Sequence, residues 1–174
     1  GLQKSDLIIL AARPAMGKSA FAMNIAQFGG TNENTPVLVF SLEMPAEQLI
    51  TRLIGTESSV SLSKITTGNL VGVDRAKVST AISRIGSLPI YIDDSPNGKL
   101  MDIIAKSRKL QANEPDLGLI IIDYLGLVSS GSNKSSDSRQ EEVRKASLAL
   151  KALARELKVP IILVSQLFRS VEQR

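Results

Sequence analysis

Hydrophobic positions in this chain gather into five short runs separated by longer stretches of mixed polarity. The runs are DLIILAA around Leu7, PVLVFS around Val37, LPIYIDD around Ile90, LGLIIID around Ile120 and VPIILVS around Ile161. Each is nearly continuous in β-branched or aliphatic residues, a pattern that predicts strands buried on both faces. The segments between them repeat at helical spacing. Leu49, Ile50, Leu53 and Ile54 form one stripe, with Pro45 suited to a first helical position. Leu100, Ile103, Ile104, Ser107 and Leu110 form a second. Val143, Ala146, Leu150, Leu153 and Leu157 form a third, with Glu, Lys and Arg on the other faces. Strands alternating with helices predict parallel crossovers. The expected fold is therefore α/β, a doubly wound, mainly parallel sheet with helices on both faces. No internal repeat is visible. GGTNENT (Gly29 to Thr35) reads as a turn-rich connector. SSGSNKSSDSRQ (Ser129 to Gln140) reads as a longer polar loop. It follows a strand's carboxyl end, where open α/β sheets bind ligands, and a plain surface connector is the alternative.

Composition narrows the chemistry. The 174 residues suffice for one domain with a sizeable core, and a hydrophobic content of 43% suits a folded chain. Aromatics make up only 3%, without Trp, which disfavours an aromatic platform for stacking bases. The net charge of +4 permits an anionic partner without requiring one. Cys and His are both absent. That excludes disulfides, thiolate or imidazole metal sites and Ser-His or Cys-His catalysis. No apolar run approaches membrane-spanning length, and the N-terminus does not read as a signal peptide. The chain opens on Gly and stops at Arg174 just after a charged stretch, so a piece of a longer protein is expected.

Candidate chemistry collects at the ends of the predicted strands. After the first comes Ala12-Arg13-Pro14-Ala15-Met16-Gly17-Lys18-Ser19, followed by Ala20. This matches the phosphate-binding consensus G-x-x-x-x-G-K-[ST] except at Ala12, where the first Gly is usual. Gly17 lets the backbone approach phosphate, and the N-terminus of the following helix attracts an anion. Lys18 can reach the β- and γ-phosphates of a nucleotide, and the Ser19 hydroxyl can bind Mg²⁺. Alanine at the first position requires only that the backbone there avoid positive φ. The alternative is a chance Gly-Lys-Ser at a helix start.

Three further strand ends carry polar groups. Asp123, closing LGLIIID, can hold Mg²⁺ through water; the alternative is an Asp capping the next segment. Glu43 in FSLEM can polarise a water for attack on the γ-phosphate; the alternative is favourable interaction with a helix dipole. Gln166 in LVSQL can contact the γ-phosphate and report its loss; the alternative is a polar residue meeting solvent. One such group means little, but four on the rim where these sheets bind ligands point to phosphoryl transfer. Asp93 and Asp94 join the same rim without an evident role.

ARPAMGKSAFAMNIA, FSLEM, LIIIDYLGL, LKALARELKVPIILVSQL and RSVEQR together resemble the RecA-like motor domain of replicative DNA helicases of the DnaB type, over residues 1 to 174. The resemblance implies a RecA-like P-loop NTPase core and an enzyme that hydrolyses ATP or another NTP with Mg²⁺. It implies catalytic roles for Lys18, Glu43 and Gln166, nucleotide contacts from Ala12 to Ala20, and metal contacts from Ser19 and Asp123. An alanine-led loop is a spelling this family uses. The implied partners are single-stranded DNA, five further copies in a hexameric ring, primase and a helicase loader. The implied location is the cytoplasm of a bacterium, with the gene carried by the bacterium or its phage, and no membrane association. Lys134 and Arg139, in the polar loop, are implied DNA contacts. The family's N-terminal helical domain is missing, as are the interface arginine and main DNA-contact loop expected beyond Arg174. The piece alone should therefore be weakly active, since a trans arginine contributes roughly 10³–10⁵ in rate in related enzymes. Two other readings share the pocket: a RecA-like recombinase that forms filaments on DNA, and a non-enzymatic assembly module switched by nucleotide. A small-molecule kinase is disfavoured because no acceptor-substrate signature is present.

Overall fold

The computed structural model describes residues 2–95, 98–123 and 136–166, with the side chains of 136–140 left out of the description. All five apolar runs form strands: β1 (Leu7–Ala12), β2 (Val37–Ser41), β3 (Ile90–Asp93), β4 (Leu119–Asp123) and β5 (Ile161–Gln166). They make one sheet in the order β1-β5-β4-β2-β3, with every pairing parallel. The register sets Ala12 against Gln166 and Ser41 against Asp123. All carboxyl ends thus emerge on one rim.

Alternation along the strands splits the core into two layers. Val37, Val39, Leu119, Ile121, Ile162 and Val164 pack against α1 (Lys18–Asn32) and α2 (Ala46–Ser58). Leu38, Phe40, Ile120, Ile122, Ile161 and Leu163 pack against α5 (Leu100–Asn113) and α6 (Ser136–Leu157). Ile120, Ile121 and Ile122 are fully buried. Each contributes about 1.5–3 kcal/mol by leaving water, which explains why β4 reads as unbroken hydrophobicity. The doubly wound expectation holds.

Two local expectations need correction, and one stretch needs an addition. Gly29 to Asn32 are not a connector but the last turn of α1. Gly30 is buried, and the place its Cβ would take lies 3.5 Å from Leu88 and Ile90, so packing against the start of β3 carries the helix through two poor helix formers. Ser136 to Gln140, placed in the polar loop, begin α6; residues 129 to 135 of that loop lie outside the described residues. The stretch between α2 and β3, for which the sequence pattern predicts no element, holds α3 (Leu62–Thr67) and α4 (Gly72–Gly86). Neither shows a strong stripe, because α3 buries no residue and α4 buries only Val78 and Ala81. Gly68, left-handed at φ 70, ends α3 and donates its N–H to the Ile65 carbonyl.

Candidate active site

The loop after β1 turns through two left-handed residues, Ala15 (φ 61) and Gly17 (φ 76). Gly adopts this conformation freely, whereas for Ala it costs roughly 1–2 kcal/mol. Ala12 lies in extended backbone within β1, so its departure from the consensus Gly carries no conformational cost. Gly17 is the N-cap of α1, makes no side-chain cap, and is followed by no acid in the first turn. The first N–H groups of α1 therefore have no intrahelical partner and no local carboxylate. That is the arrangement of a helix N-terminus that takes an anion.

Asp123 is the electrostatic centre of the rim. It is 5% exposed, and its Oδ1 has no hydrogen-bond partner. Burial pushes its carboxyl above the usual carboxylate range. The Ser19 hydroxyl pulls it down, the Glu43 charge pushes it up, and Lys18 and Arg52 pull it down. Lys18, Ser19 and Glu43 thus all act electrostatically on one buried carboxylate. Gln166 joins them by topology, because β5 runs between β1 and β4 and its end is paired with Ala12. Glu43 is exposed in the β2–α2 turn, which is tied to β4 by the Leu42 N–H donating to the Asp123 carbonyl at 2.6 Å.

Of the DNA-contact candidates, Lys134 lies outside the described residues. Arg139 falls in α6, with its side chain outside the description. Sequence reasoning missed Arg52 of α2, whose charge acts on Asp123 and which carries no motif signal. Ala15 stands among the expected nucleotide contacts, but its left-handed backbone is not foreseen from the sequence. Two clefts open at the far end of α2, between it and α4, lined by residues that include Glu57 and Arg84. There Glu57 accepts hydrogen bonds from Gln27 and Arg84, both at 2.7 Å. This cluster ties α1, α2 and α4 together and lies about three helical turns from the rim.

A buried carboxylate with one oxygen unpartnered, beside a Ser hydroxyl, suits Mg²⁺. That ion takes one or two protein oxygens and fills its shell with water and phosphate. Among the described residues no group of three or more acidic residues forms a cage. Asp123→Asn is expected to preserve the fold, because it is isosteric at an unpartnered atom. It should weaken the Mg²⁺-dependent part of nucleotide binding about 10–100-fold, the range for an outer-shell partner. Titration of a fluorescent nucleotide with and without EDTA measures this, and an unchanged Mg²⁺ requirement would remove Asp123 from the metal.

A parallel sheet with a phosphate loop after β1, an acid closing β4 and a strand inserted between them defines a P-loop nucleotide-binding domain of the RecA-like class. Within that class, the chain belongs to the DnaB-like helicase C-terminal domain family, whose model matches residues 1–174. It is 51% identical over 174 residues to the replicative DNA helicase DnaB of Geobacillus stearothermophilus, and 49% identical to the replicative DNA helicase DnaC of Bacillus subtilis. Each alignment covers 100% of this chain but only 38% of the relative. Two solved structures superpose with a TM-score of 0.89 at 36% identity over the whole chain. One is described as an ATPase domain and is 61% covered; the other is a DnaB-like replicative helicase described with its interactions with primase, 42% covered. The family favours the helicase motor over the recombinase. No helix of the described residues is long and apolar enough to cross a membrane.

Proposed function

We propose that this domain is the ATP-hydrolysing motor of a replicative DNA helicase, acting in a homohexamer on single-stranded DNA in the cytoplasm. The observation that carries the reading is the buried Asp123, its Oδ1 unpartnered, on the rim where the phosphate loop and the Glu43 turn also emerge. Lys18 and the open N-terminus of α1 bind the phosphates and screen their charge. Ser19 and Asp123 would hold Mg²⁺, which when bound neutralises charge developing on the β- and γ-phosphate oxygens. Glu43 takes the proton of the attacking water. Gln166, between the phosphate loop and Asp123, contacts the γ-phosphate and passes its loss along β5. Lys134 and Arg139 are the residues assigned to DNA phosphates, where repetition around a ring multiplies a modest charge. Primase, as for the related helicase, and a loader are the expected protein partners.

The test uses the full-length protein with a forked duplex, ATP and Mg²⁺. Strand separation that depends on hydrolysable ATP is the expected result. DNA-stimulated hydrolysis without separation, in the presence of its loader, would return the reading to a recombinase-like ATPase.

A further inference from the structure

The paired carboxylates that close β3 have no part in the chemistry above, yet each holds something. Asp93 is ion-paired with Lys106 of α5 at 2.5 Å and accepts the Ser95 backbone N–H at 3.0 Å. Lys106 also donates to the Ser95 hydroxyl at 3.0 Å. Burial works against the Asp93 charge, but Lys106 and Ser95 together hold its carboxyl below the usual range. The turn after β3 is thereby fastened to α5. Asp94 reaches the other way: its Oδ2 accepts the backbone N–H of Ala46 at 2.8 Å. Ala46 is the first residue of α2, whose N-cap is Pro45 and supplies no side-chain acceptor. A donor orphaned at the start of α2 is therefore satisfied by the residue just past β3. The acceptor is a carboxylate, the charge favoured at that end of a helix.

Glu43 lies in the short turn just before this cap. On the β2 side the turn is held by the Leu42 N–H on the Asp123 carbonyl and by the Ser41 hydroxyl, which donates to the Met44 carbonyl at 2.5 Å. On the α2 side, Asp94 ties it across to the end of β3. We infer that Asp94 is a positioning residue: by capping α2 from β3, it sets where the β2–α2 turn presents Glu43 to the nucleotide. The inference rests on Glu43 being the base. In its absence water satisfies Ala46, so α2 persists, but its start is no longer registered to the sheet.

The test measures ATP turnover of the full-length protein with Asp94→Ala and Asp94→Asn, each alone and combined with Glu43→Gln. A misplacement of about 1 Å can cost about 100-fold. A looser turn is expected to lower kcat roughly 10-fold in Asp94→Ala with KM for ATP unchanged. Asp94→Asn keeps the acceptor oxygen and should recover most of the rate. In the Glu43→Gln background Asp94→Ala should cost nothing further, because the positioned group is gone. Wild-type kcat in Asp94→Ala, or the same loss in both backgrounds, overturns the inference. Wild-type turnover in Glu43→Gln alone would refute the base assignment and this inference with it. Hydrogen exchange over residues 42–50 separates the two failures. Exchange that does not quicken in Asp94→Ala removes the cap while leaving Glu43 in place.

Discussion

Lys18→Ala is expected to take nucleotide affinity below calorimetric detection while leaving the fold intact. The lysine opens α1 beside the left-handed Gly17, with its ammonium near Asp123. A charge-assisted hydrogen bond contributes about 1.5–3 kcal/mol, so losing two to phosphate costs at least about 3 kcal/mol, or roughly 100-fold in Kd. The remaining attraction of the helix N-terminus, about 0.3–2 kcal/mol, does not make up that loss. Ala is as good a helix former as Lys, so melting temperature without ligand should barely move. Unchanged affinity with unchanged melting would mean that the phosphates bind elsewhere.

Glu43→Gln is expected to do the opposite, keeping the nucleotide and losing turnover. Removing a general base costs about 10²–10⁴ in rate. The side chain is exposed and makes no packing contribution that the amide would disturb. Binding should hold for a further reason. The Glu43 charge is one of the influences raising the Asp123 carboxyl, so its removal favours the ionised form that a metal needs. Single-turnover kinetics with a calorimetric titration separate the two quantities. A variant that turns over at the wild-type rate would send the search for the base to another residue.

Much of this was legible beforehand, and for a physical reason. A strand buried on both faces has no polar positions except at its ends, so β2 and β4 stand out as runs and Asp123 stands out as the residue that breaks one. The phosphate loop is local, and its spacing survives in sequence. What escaped notice depends on tertiary contact. Gly29 and Gly30 look like a turn until Leu88 and Ile90 are seen against them. Helices α3 and α4 bury too little to show a stripe. The Asp94 cap joins residues 48 apart, and the left-handed Ala15 follows from a loop path that its own side chain disfavours.

Strand β1 also bears on how the isolated domain can be handled. Among the described residues it pairs only with β5, and Ile9 on it is 58% exposed. A six-residue apolar edge is a template for a neighbouring chain. The purified 174-residue chain should therefore associate as its concentration rises, by strand-to-strand contact independent of nucleotide. Ile9→Lys, a surface change worth no more than about 0.5 kcal/mol to the fold, should keep it monomeric in sedimentation. Association of the unaltered chain that Ile9→Lys abolishes would then report contact through β1 rather than ring assembly, and the two should not be confused when its oligomers are counted.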